Sequence, residues 1–117
     1  RYFRRRARKR RAGKRAHANL SVYAASKFAV EAFTQAVARE LEQEGSSAGC
    51  IALCPSGINT GMRAAVFGKE DAAKQQSPES VAVVLKDVLL GKVKVPNGGD
   101  VFIRQGKVTE VRDNFSQ

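Results

Sequence analysis

Cys50-Ile51-Ala52-Leu53-Cys54-Pro55 runs directly into Ser56-Gly57-Ile58-Asn59-Thr60-Gly61. The first five residues are a short, wholly apolar run. That is the pattern of a central parallel strand over 50–54, buried on both faces. Pro55 has no backbone N–H to offer a ladder, so it ends the strand. The run after it reads as a loop at the strand's C-terminal end, where open α/β sheets bind their ligands.

Upstream, residues 23–44 read as one helix. Six alanines between Ala24 and Ala38 raise its helix propensity, and Phe28, Phe33, Val37 and Leu41 form an apolar stripe. Such a helix is expected to pack on a sheet and on a neighbouring helix. Ser21 is a candidate cap, and Gly45 is a natural C′ residue. Helix, short loop, then buried strand is half of a βαβ unit. Downstream, Met62 to Gln76 has weak or irregular helical character. Ser77-Pro78-Glu79 is a helix start, with a cap, a Pro at the first helical position and an acid in the first turn. Val81, Val84, Leu85, Val88 and Leu89 then keep helical spacing until Gly91. Asn97-Gly98-Gly99 reads as a turn, Val101-Phe102-Ile103 as a second buried strand, and Lys107 to Val111 as a short edge strand or tail. The expected class is α/β.

The net charge of +10 is local. Ten of the 21 Lys and Arg lie within the first 16 residues, which hold no acid; the other 11 face 11 Asp and Glu. Residues 1–16 are expected to be a disordered basic tail, and residues 17–117 one domain. The body is neutral, so overall basicity does not argue for nucleic acid. No apolar run reaches the ~20 residues that a membrane span requires, and no secretory h-region opens the chain. The only Met is Met62, and the chain opens at Arg1, which leads to the expectation of a processed or truncated product. Cys50 and Cys54, four apart along a strand, would lie about 13 Å from each other, beyond the ~7 Å reach of a disulfide. With a single distant His17 they make no zinc pattern. They are expected to be reduced, in a cytoplasmic protein, and His17 is given no role.

The chemistry begins at Tyr23-Ala24-Ala25-Ser26-Lys27. Residues four apart share a helix face, which lets a phenol and an ammonium point into one site. A phenol ordinarily keeps its proton to pH ~10, and a cation within about 4–6 Å lowers that value. A phenol so placed can act as a general acid towards a developing alkoxide near neutral pH.

From about Ala12 to Thr60 the chain resembles the short-chain dehydrogenase/reductase family. Val22-Tyr23-Ala24-Ala25-Ser26-Lys27 matches its Tyr-x-x-x-Lys setting, and a helix of the expected length follows. The apolar strand then ends in Pro55, and Ile58 and Thr60 match the Pro-Gly-x-Val/Ile-x-Thr loop. Ala12-Gly13 fits the loop before the Tyr. The late helix and last strand fit more loosely. Taken in order and at this spacing the motifs are specific. The resemblance implies a Rossmann-type, doubly wound parallel sheet and hydride transfer between NAD or NADP and a small alcohol or carbonyl compound. It implies Tyr23 as acid/base, and Lys27 as the residue that lowers its pKa and holds the nicotinamide ribose. The Pro55, Gly57, Ile58 and Thr60 loop would hold the carboxamide, through the backbone of Ile58 and through Thr60. Thr60 also reads as a helix cap. Residues 61–76 would form a lid. The Tyr-bearing helix commonly builds a dimer in this family, so a homo-oligomer is implied as well.

The chain also departs from the family. The catalytic Ser lies about thirteen residues before the Tyr, where this sequence has Arg10. The Gly-x-x-x-Gly-x-Gly turn that cradles pyrophosphate at a helix N-terminus is absent, so the N-terminal dinucleotide-binding half is expected to be missing. Ser56 stands where Gly is usual. The abrupt change near Ala12 suggests a frameshift in a GC-rich gene, which intact family-like codons upstream in the same frame would overturn. A truncated or inactive, weakly folded copy is expected, because a central parallel strand needs neighbours on both edges. The competing reading is a non-catalytic fragment whose basic tail binds nucleic acid or an acidic partner. Only Tyr2 and Phe3 interleave the cations, which disfavours a nucleic-acid site.

Overall fold

The structure is a computed structural model that describes residues 20–116. The expected basic tail over 1–16, the Ala12-Gly13 match, the Arg10 position, His17 and Asn19 lie outside these residues. Seven elements follow one another. They are α1 (Ser21–Gln43), β1 (Ala52–Pro55), α2 (Gly61–Phe67), α3 (Lys69–Ala73), α4 (Pro78–Leu89), β2 (Asp100–Arg104) and β3 (Lys107–Arg112).

The sheet has the order β1-β2-β3. β1 and β2 run parallel, with Ala52 opposite Asp100 and Pro55 opposite Ile103. β2 and β3 are antiparallel, with a bulge between Phe102 and Ile103. The sheet is therefore mixed, where the resemblance implies a parallel one. The reason is local: a two-residue turn, Gln105 at φ 49° and Gly106 at φ 69°, folds the chain straight back on itself, and such turns join antiparallel strands only. The central strand is β2 rather than β1. Asp100, Val101, Phe102 and Ile103 are all buried, whereas β1 is mostly half-buried and pairs with β2 alone among the described residues.

Alternation along β2 sends Val101 and Ile103 to one face and Asp100 and Phe102 to the other. On the first face Val84 of α4 joins Val101 and Ile103, flanked by Ile51, Leu53, Val81, Val88, Val95 and Val108. α4 starts as its sequence predicts: the Ser77 hydroxyl accepts from Ser80 N–H and Pro78 opens the helix. It ends at Gly91, φ 72°. Its Leu85 and Leu89 lie outside that core and are exposed. The stretch 62–76 is more regular than expected, forming the two short helices α2 and α3 around Gly68 at φ 92°.

α1 covers the other face, but not with the expected stripe. Its buried residues are Glu31, Thr34 and Ala38, while Phe28 and Phe33 are 41% and 68% exposed. Small Ala38 allows close approach, and the Thr34 hydroxyl donates to Val30 O at 2.9 Å within the helix, so its burial leaves that donor satisfied. Ser21 is the first helical residue rather than the cap. The cap is Leu20, whose carbonyl accepts from Ala24 N–H at 2.7 Å. Gly45, φ 67°, ends the helix as expected. Asn97 ties this helix to the sheet by donating to Ala38 O at 2.8 Å and accepting from Cys50 N–H at 2.9 Å.

The Asn97-Gly98-Gly99 turn feeds β2 through a tight passage. A Cβ on Gly99 would stand 2.7 Å from Pro96 O and 2.8 Å from Arg112 O. Both are backbone atoms and cannot rotate aside. Gly99 O also accepts from Ala52 N–H at 2.9 Å, which starts the parallel register. Gly99→Ala is expected to cost roughly 1–3 kcal/mol, read as a lower urea midpoint. An unchanged midpoint would show that the passage is looser than these distances.

Candidate active site

α1 carries the first pair of site residues near its N-terminus. Tyr23 and Lys27 share one face, with the Lys27 Nζ over the phenol ring, 5.4 Å from its centroid. Tyr23 is half exposed. The Ser26 hydroxyl turns back into the helix and donates to Tyr23 O at 2.7 Å. The expected juxtaposition of phenol and cation is thus present in the structure.

The second group sits past the C-terminal end of β1. Ser56 N–H donates to Ile103 O at 2.8 Å, extending the parallel ladder by one step. A Cβ on Gly57 would collide with the Gln75 Oε1 and meet an Arg63 guanidinium nitrogen at 3.0 Å, so a side chain there would displace the ends of these two residues. Ile58 forms a parallel bridge with Gln76, and Asn59 N–H donates to Gln76 O at 2.8 Å. Thr60 is the N-cap of α2, its Oγ1 accepting from Arg63 N–H at 3.1 Å. The capping role that its sequence position suggests is observed, and the oxygen still has a proton of its own to donate. Gly57, Ile58 and Thr60 therefore lie on one short, multiply anchored loop, while Pro55, expected to stop a strand over 50–54, is itself the last residue of a strand that starts at Ala52.

α2 and α3 are pinned beside this loop by Arg63. Its Nε bonds Asp71 Oδ1 at 2.6 Å, and its guanidinium lies 4.4 Å from the centroid of the Phe67 ring. The hydrogen bond from Arg63 is the main reason that the Asp71 carboxyl titrates below the usual carboxylate range. Exposed Met62, Val66 and Phe67 cover the outer side of this segment.

Gln75 and Gln76 drew no attention in the sequence. They are two polar residues just before a capped helix, and nothing in their spacing signals burial. A second grouping was equally invisible. Glu31 of α1, Cys54 of β1 and Asp100 of β2 bring ligand-type atoms within 4.8 Å of one another, across 69 residues of sequence. Two carboxylates and a thiol form the one set of metal-ligating type among the described residues. Neither Cys54 nor Cys50 is in a disulfide.

The donor types on these two groups are of the kind that the nicotinamide end of a dinucleotide accepts. Lys27 offers an ammonium, Thr60 a hydroxyl and the 56–60 loop its backbone groups. No Gly-x-x-x-Gly-x-Gly turn occurs among these 117 residues. No described helix is long and apolar enough to cross a membrane.

Comparison with known proteins gives three findings. The family model for short chain dehydrogenase matches residues 11–71. The chain is 41% identical over 69 residues to the Escherichia coli (strain K12) protein named "Uncharacterized oxidoreductase YciK", an alignment covering 59% of this chain and 26% of that protein. It is 34% identical over 91 residues to an Arabidopsis thaliana "NADPH-dependent pterin aldehyde reductase", covering 78% of this chain and 36% of that protein. The chain thus spans about a quarter to a third of the length of these curated relatives. No solved structure matches significantly.

Proposed function

The chain belongs to the short chain dehydrogenase family, and from that premise we propose that it carries the proton-transfer and nicotinamide-contacting part of an NAD(P)-dependent oxidoreductase. The substrate class is a small alcohol or carbonyl compound. The observation that carries this reading is the Tyr23–Lys27 pair on one face of α1, with the ammonium 5.4 Å from the ring centroid.

When bound, the dinucleotide supplies or accepts the hydride. The Tyr23 hydroxyl gives its proton to the carbonyl oxygen as negative charge develops there, or takes it back in the oxidation direction. Lys27, one turn along, places a positive charge beside it and would hold the ribose hydroxyls. The backbone of Ile58 and the hydroxyl of Thr60 would hold the carboxamide. α2 and α3, exposed and apolar at Met62, Val66 and Phe67, act as the lid over the substrate. The exposed apolar face of α1, with Phe28 and Phe33, is the contact for a homo-oligomer.

Saturation-transfer NMR with NADH and NADPH tests this reading on the chain itself. Transfer is expected to the nicotinamide protons rather than to the adenine protons. It should fall in Lys27→Met, which keeps most of the aliphatic stem and removes the charge. Transfer to adenine alone, or to neither end, would overturn the reading.

A further inference from the structure

We infer that Gln76 is the positioning residue of the loop that receives the carboxamide, an inference that rests on the functional reading above. Gln76 is polar, yet only 4% exposed, and its polar atoms are used on three segments at once. Its Nε2 donates to Ser56 O and Ser56 Oγ, each at 3.2 Å, and to Ile103 O at 3.4 Å. Its Oε1 accepts from Gly106 N–H at 2.9 Å. Its backbone carbonyl accepts from Asn59 N–H at 2.8 Å. The amide orientation follows from these partners: the reverse would set an oxygen against two carbonyls and an NH₂ against an N–H.

One side chain therefore joins the loop after β1, the C-terminal end of β2 and the β2–β3 turn. Gln75 holds the opposite side, with its Oε1 filling the space a Gly57 side chain would need. The Ser at 56, a departure from the family's Gly, finds its use here as an acceptor for Gln76. Ile58 and Thr60 flank the tethered Asn59, so their spacing and direction depend on the Gln76 clasp. Gln76 acts through the loop; it is not a catalytic residue. A buried carboxamide with donors and acceptor matched in this way is costly to disturb, and its loss leaves Ser56 O, Ile103 O and Gly106 N–H without that partner.

Two measurements test the inference, both on the full chain with NADPH as the probe. The first compares the native chain with Gln76→Leu at a temperature where circular dichroism shows both folded. Nicotinamide binding should weaken about tenfold, the scale of one or two lost hydrogen bonds, and hydrogen exchange should quicken at Gly106, whose N–H loses its acceptor, but not at Val84 or Val101. Native affinity in the variant would overturn the inference and leave the functional reading standing. The second needs no variant and decides the matter if Gln76→Leu fails to fold. Added NADPH should shift the Gln76 Nε2 proton signals of the native chain and slow their exchange. Signals that ignore NADPH while nicotinamide contact is seen would overturn the inference alone. A native chain that makes no nicotinamide contact would overturn the reading, and this inference with it.

Discussion

Ile103→Ala is expected to unfold much of the chain at ambient temperature. Ile103 is 1% exposed and sits with Val101 and Val84 at the centre of the apolar cluster between α4 and the sheet. Truncating a buried Ile to Ala costs ~2–5 kcal/mol, combining lost transfer energy with the cavity left behind. Domains of this size have only about 5–15 kcal/mol in hand. This one is expected to start near the low end, because among the described residues β1 has one strand neighbour and the fully buried apolar side chains are few. The cavity has little chance to collapse, since the β2 backbone is held on both edges. Urea titration followed by circular dichroism checks this. A midpoint equal to the native one would mean that the cluster is not the core. The same experiment tests the expectation that the native chain is weakly folded, which a sharp, cooperative native transition would contradict.

Tyr23→Phe is expected to leave stability alone and to remove most turnover. The substitution deletes one oxygen from a half-exposed ring and keeps the surface on which Lys27 lies. Surface changes of this kind stay within about 0.5 kcal/mol. A positioned general acid contributes roughly 10²–10⁴-fold to rate, so turnover should fall by that factor. The assay follows nicotinamide absorbance in a protein that joins these residues to a pyrophosphate-binding half. Nicotinamide contact should survive in Tyr23→Phe and weaken in Lys27→Met, which separates proton transfer from binding. Turnover at the native rate in Tyr23→Phe would remove Tyr23 from the chemistry.

Several features were legible because their causes are local. The cap at Ser77 needs a hydroxyl three residues before an amide, and both lie in a four-residue window. Gly45 and Gly91 end helices because a positive φ is available to them at no steric cost. Tyr23 and Lys27 meet because helical pitch alone brings i and i+4 together. The parallel pairing of β1 with β2 follows from two short apolar runs separated by a helical stretch long enough to cross over.

What the sequence could not contain is which face of an element finds a partner. The Phe28–Phe33–Val37–Leu41 stripe is the more apolar side of α1, yet Glu31, Thr34 and Ala38 are the residues buried. Burial was decided by the sheet beneath, where Asp100 offers a polar surface, and by Ala38 of α1, which allows a close approach. Periodicity identifies an amphipathic helix but does not say what lies opposite. The Gln76 clasp and the Glu31–Cys54–Asp100 grouping are of the same kind. Each joins residues tens of positions apart, and their geometry exists only once β1 and β2 lie side by side. The sequence by itself determined the runs of α1 and α4, the ends at Gly45, Ser77 and Gly91, the apolar strand runs and the Tyr23–Lys27 pair, because each is set by contacts within about one turn or one strand. Only the tertiary structure decided the mixed sheet, the buried face of α1 and the anchoring of the 56–60 loop, because those depend on non-local packing.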